Sequence, residues 1–122
     1  MLTEKDYCDY ETCVALKELG FTLDMTEKVY ERNLMTNRYE TTPKPLLYEA
    51  QKWLREEKNI DISVTISPFE YFATIREFVF WRGEYSWKTP PIYPNGAKTY
   101  EEALAEGIKE AVKILKEDDS TC

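Results

Sequence analysis

Histidine is missing altogether from this chain of 122 residues. Its absence removes Ser-His and Cys-His nucleophile pairs and every imidazole-ligated metal site. Glycine is scarce, and the four present are dispersed. They form no GxGxxG, P-loop or EF-hand pattern, so no phosphate cradle and no calcium loop is expected. The three cysteines, Cys8, Cys13 and Cys122, are odd in number and lack CxxC spacing. That excludes a paired disulfide framework and a zinc knuckle, and free thiols in a reducing cytoplasm suit them. No run approaches the ~18 apolar residues of a membrane span. Residues 1–6 offer neither the basic nor the apolar region of a signal peptide, so a cytoplasmic protein without a membrane partner is expected. Basic side chains are outnumbered, 16 to 23, for a net charge of −7. That balance argues against duplex nucleic acid, whose binding rests on neutralised phosphates.

What is present is enough for one domain with its own core. Hydrophobic residues make up 43% of the chain, and aromatic residues 14%. The acidity is uneven. Residues 1–20 carry five acids and two bases, residues 21–98 carry eleven of each, and residues 99–122 carry seven acids and three bases. Solubilising helix faces and tails account for acidic ends. An inhibitor that mimics nucleic acid is the sharper alternative, weakened by Lys109, Lys113 and Lys116 in the last segment.

Local signals order the elements. Asp9 is a good helix N-cap, Cys13, Val14, Leu16 and Leu19 follow, and Gly20 stops the helix with Phe21 folding back on Leu16. Residues 21–42 show no clean period, so a long loop is expected, with one short strand near residues 28–31. Thr42 reads as the cap of a helix of about 13 residues whose first turn holds Pro43 and Pro45. Its apolar stripe is Leu46, Leu47, Ala50, Trp53 and Leu54. The period then changes to two. Ile60, Ile62, Val64 and Ile66 alternate with polar residues, as in a strand with one wet face. A second strand covers residues 69–82, a turn falls at Gly83-Glu84, and a third strand covers residues 85–88. Pro90, Pro91 and Pro94 exclude a central strand after it. Thr99 and Glu102 form a capping box for the last helix, in which Gly107 on the apolar face implies close approach to the sheet.

The expected fold is α+β, in the order α-(loop)-α-β-β-β-α. It is a two-layer sandwich of a three-stranded antiparallel meander, or a four-stranded one, with helices on one face. Residues 1–122 form a single domain, with 117–122 as a disordered acidic tail. The core should hold Val14, Leu16, Leu47, Trp53, Leu54, Ile62, Val64, Ile75, Leu104, Ile108 and Leu115. The α-β-β-β-α order also matches double-stranded-RNA-binding domains, but Glu101 and Glu102 stand where those domains place phosphate-gripping lysines.

No catalytic residue is assigned, and no cofactor or metal is expected. The carboxylate pairs Asp6/Asp9, Glu56/Glu57 and Glu101/Glu102 sit on helix starts or charged faces, where dipole and solubility roles account for them. Cys8 precedes a helix start, the one place where a reactive thiol is conceivable. The informative stretch is residues 69–100. It holds ten aromatics, with Arg76, Arg82, Lys88 and Lys98 interleaved. Apolar residues fall on both parities of the second strand, so some rings must point away from the helices. Three readings follow. The long loop or the proline segment folds over the outer face; the face is an interface for a protein partner or a second copy; or it stacks single-stranded nucleic acid. The candidate binding residues are Arg76, Trp81, Arg82, Tyr85, Trp87, Lys88 and Tyr93. An enzyme is the least favoured reading.

Three segments carry a resemblance. They are residues 6–12 (DYCDYET) leading into LKELGF at 16–21, AQKWLRE at 50–56 followed by Ile60, and TYEEAL at 99–104 with the helix after it. In order and spacing they resemble a group of small uncharacterised proteins of prophages and mobile elements of gut anaerobic bacteria. The resemblance implies a cytoplasmic accessory protein of mobile-element origin, and it brings no activity and no site residues. It does not reach residues 69–98.

Overall fold

The computed structural model describes residues 4–33, 38–87, 91–94 and 96–120, with the backbone alone at 4, 31–33, 38–40, 80, 81 and 118–120. The first helix, α1 (Tyr10–Leu19), has the start and stop its sequence announces. Asp9 accepts from the Thr12 N–H at 2.9 Å. At the other end Gly20 sits at φ 116°, a left-handed conformation that suits glycine. The Gly20 and Phe21 N–H groups close the paired bonds of a Schellman stop, to Lys17 and Leu16.

The segment expected to be a long loop is a hairpin. Strands β1 (Val29–Asn33) and β2 (Arg38–Pro43) pair antiparallel, with a register shift between Tyr30 and Arg32. The shift breaks the alternation that would have announced a strand pair. Thr42 is therefore a buried strand residue opposite Tyr30, not a helix cap. Pro43 and Pro45 are fully buried outside any helix. The second helix, α2 (Leu47–Lys58), starts later than expected and runs 12 residues. Glu49 supports its start by accepting from the Leu46 N–H at 2.8 Å. It ends at Asn59, in the left-handed region at φ 57°. This cap turns the chain directly into the next strand.

Three strands form the main sheet, in the order β3 (Ile60–Ile66), β4 (Tyr71–Trp81), β5 (Glu84–Trp87). All neighbours are antiparallel. The turn between β4 and β5 is Arg82-Gly83, one residue earlier than the sequence suggested, with φ 51° and 80°. Positive φ at both central residues is the type I′ signature, which matches the twist of a two-residue hairpin. Beyond β5 the chain continues along the same edge of β4. Ile75 exchanges two backbone bonds with Ile92, and Tyr71 two with Ala97, all 2.8–2.9 Å. These bridges use the N–H groups of Ile92 and Ala97, so Pro91 and Pro94 sit at an edge, where a missing donor costs little.

The final helix, α3 (Tyr100–Ser120), begins with Thr99 Oγ1 accepting from the Glu102 N–H at 3.1 Å. It continues through Ser120, well into the stretch expected to be a disordered tail. It packs on β3 and β4, α2 packs on β3 and α3, and α1 packs on α3 and β2. The fold is therefore α+β, with helices on one face of an antiparallel meander and a separate two-stranded hairpin.

The core lies between α3, α2 and the inner sheet face. Leu16, Leu47, Trp53, Leu54, Ile62, Ile75, Leu104 and Ile108 are buried, as expected. Val64 and Leu115 only pack against its margin, and Val14 is half-buried. Cys8, Cys13, Phe21, Ala50, Ile60, Ala73, Ala111 and Val112 complete it. Ile66, the last residue of β3, is 67% exposed.

Asp9 joins two elements, since its carboxylate also meets Lys109 Nζ on α3 at 3.0 Å. Burial disfavours its charge, but the Thr12 and Lys109 hydrogen bonds outweigh burial and hold its pKa below the usual value. Asp9→Ala should cost about 1 kcal/mol, the usual worth of a helix cap. Asp9's contribution is present above about pH 4, where the unfolded carboxylate is ionised. It is lost as pH falls through the lower folded value. Urea midpoints for wild type and Asp9→Ala should thus differ near neutrality and converge in acid.

Candidate functional site: the outer face of the sheet

Strand alternation sorts the sheet into two faces. Ile62 stands opposite Ile75 and Val64 opposite Ala73 on the helical side. The opposite parity puts Asp61 beside Arg76, Ser63 beside Thr74, Thr65 beside Phe72, and Phe78 beside Trp87 on the outer side. Neither of the two segments expected to cover this outer face does so among the described residues. The β1–β2 hairpin packs against α1, and residues 92–97 line the edge of β4.

The rings on this face pack against one another. Phe78 meets Tyr85 edge-on at 5.5 Å between centroids and Trp87 at 6.3 Å. Phe72 meets Tyr93 at 6.4 Å. Even so, Tyr85 remains 71% exposed, Trp87 51% and Tyr93 61%. The Arg76 guanidinium lies over the Trp87 ring, 4.1 Å from its centroid. Such stacking uses the face of the guanidinium and leaves its N–H edge free to donate. Beside the rings is an open cleft of about 600 Å³, lined by Phe78, Tyr85, Ser86 and Trp87 on one side and by Arg55, Glu56, Asn59 and Asp61 on the other.

The structure brings four of the expected site residues onto this face: Arg76, Tyr85, Trp87 and Tyr93. Arg82 is an exposed residue of the β4–β5 turn. Trp81 is described by its backbone, opposite Glu84. Lys88 lies outside the described residues. Phe72, Phe78, Asp61 and Glu56 are additions. Asp61 has the outward parity of β3, two residues past the Asn59 helix stop, and its register beside Arg76 is what marks it as part of the site.

No protein-family model, no curated protein and no solved structure matches the chain.

The other candidates resolve into structural roles. Cys8 and Cys13 are free and buried, and the Cys13 thiol donates to the Cys8 carbonyl at 3.4 Å. Its hydrogen bond with Cys13, then burial, raises the Cys8 pKa well above the ordinary thiol value. Cys8 is thus a core thiol and not an activated thiolate. At the acidic ends, Asp9 pairs with Lys109 and Glu18 with Lys116. These pairs neutralise part of the charge that a nucleic-acid mimic would display. Among the described residues no group of three or more His, Cys, Asp or Glu side chains is placed to hold a metal ion. Among the same residues no helix is long and apolar enough to cross a membrane.

Proposed function

We propose that the protein is a non-enzymatic interaction module that docks a protein through the outer face of its sheet. One observation carries this reading. Two groups of rings share this face, Phe78 with Tyr85 and Trp87, on which an arginine is laid, and Phe72 with Tyr93, and no other described segment lies over them. Tyrosine, tryptophan and arginine are the residue types that dominate interface hot spots, because each buries much area and keeps a polar handle. A single nucleic-acid strand would also stack on such rings. The carboxylates of Glu56 and Asp61 balance Arg55 and Arg76 here and leave no net positive charge to hold phosphates, so a protein partner is favoured. The free thiols Cys8 and Cys13 favour a reducing cytoplasm. The accessory role of mobile-element origin that the three-segment resemblance implies is compatible with such a docking surface.

Photocrosslinking in producing cells tests this. Tyr85→p-benzoyl-phenylalanine should give a protein adduct. The same replacement at Tyr48, an exposed ring on α2, should give none. A nuclease-sensitive adduct at Tyr85, or no adduct, would overturn the proposal.

A further inference from the structure

On the outer face a cation and an anion, Arg76 and Asp61, are neighbours yet do not pair. Asp61 and Arg76 stand directly opposite each other on β3 and β4. Cross-strand opposites of unlike charge ordinarily attract. Here the Arg76 guanidinium is instead drawn onto the Trp87 ring, and its Nε is shielded from water without an acceptor. The Asp61 carboxylate accepts from Ser63 Oγ at 3.0 Å. Among the described residues neither side chain has an ion-pair partner.

A partner that covers this face must answer both charges, because a desolvated charge left unpaired weakens the complex. A uniformly basic partner would meet Asp61 and oppose Arg76, and a uniformly acidic one would do the reverse. A two-fold interface whose axis passes between Asp61 and Arg76 has the required character, since the patch then faces itself with each of these charges opposite the other. We infer that the partner at this face is a second copy of this chain, docked so that Arg76 of each protomer pairs with Asp61 of the other. The guanidinium can remain stacked on Trp87 while its free N–H edge reaches the carboxylate. The aromatic rings supply the buried area, and the two charge pairs set the register. The inference rests on the docking role proposed for this face.

Charge reversal tests it by sedimentation. Wild type should form a dimer that weakens as salt is raised. Asp61→Arg and Arg76→Glu should each lower self-affinity by about tenfold or more, since each sets like charges across the interface twice. An equimolar mixture of the two variants should recover the complex, because the heterodimer restores two opposite-charge pairs. Should a reversal fail to fold, Asp61→Asn and Arg76→Gln replace it. Each should weaken association and flatten its salt dependence. Reversal variants that dimerise as wild type does, or a mixture of folded variants that stays monomeric, would overturn the pairing. A wild-type monomer with a Tyr85 adduct to another protein would overturn the second copy and leave the docking reading standing. A monomer with no adduct would remove both.

Discussion

Ile75→Ala is expected to cost about 2–5 kcal/mol of folding stability, the range for truncating a buried isoleucine. Ile75 is fully buried on the central strand β4, opposite Ile62, with α3 packed over that face. The loss has two parts: apolar surface that no longer leaves water, and a cavity that the sheet and α3 cannot close. Its backbone bonds to Ile92 do not depend on the side chain and should survive. The variant should therefore unfold at lower urea with an unchanged slope. Ile66→Ala is the informative control. Ile66 lies in the neighbouring strand but is 67% exposed, so its truncation should change stability by less than about 0.5 kcal/mol. Equal losses at the two positions would contradict the placement of the core.

Gly107→Val is expected to cost about 3 kcal/mol, at the upper end of the usual overpacking range. A Cβ at Gly107 would lie 2.7 Å from Ile62 Cγ2 and 2.9 Å from Ala73 Cβ. Both contacts are closer than carbon atoms tolerate. Ala73 has no rotamer to move, so relief requires α3 to lift from β4. Overpacking of this kind typically costs about 1–3 kcal/mol, and valine carries two further methyl groups into the same gap. Gly107→Ala sets two effects against each other. Alanine gains about 1 kcal/mol of helix propensity, while its Cβ meets the same contacts. A net loss is expected, smaller than for valine. Thermal or urea unfolding of both variants checks this, and a stabilised alanine variant would show that the helix does not sit against the sheet here.

That close approach was legible in the sequence, because a glycine in the middle of an apolar helix face weakens the helix and leaves a gap unless a neighbouring element fills it. The ends of α1 were legible for the same kind of reason, since Asp9 and Gly20 each have a local job that residue type reveals. The span of β3 followed from its alternation. The β1–β2 hairpin was not legible. Its register shift removes the period of two, and its polar residues read equally well as loop. Thr42-Pro43-Lys44-Pro45 misled because a threonine followed by prolines suits a helix start. In the fold Cys8 N–H bonds the Pro45 carbonyl and holds these residues in the extended segment that precedes the helix. The Arg82-Gly83 turn was placed one residue late, since arginine carries no signal for a positive φ.

The candidate site was legible in part. The excess of apolar residues on both parities of β4 required an outward aromatic surface, and Arg76, Tyr85, Trp87 and Tyr93 are on it. Asp61 and Glu56 were not, because a carboxylate on a wet strand face or a helix surface looks like ordinary solvation. Only the register of β3 against β4, together with the position of the α2 end, shows that both lie beside the rings.

The most direct measurement is sedimentation velocity of Trp87→Ala beside wild type. Trp87 is half-exposed, so its loss should leave the fold intact, which circular dichroism can verify in the same samples. Its removal takes away the ring that carries Arg76 and meets Phe78. Wild type should assemble as concentration rises, and Trp87→Ala should stay at the mass of one chain. Identical behaviour of the two chains across the concentration range would contradict this expectation.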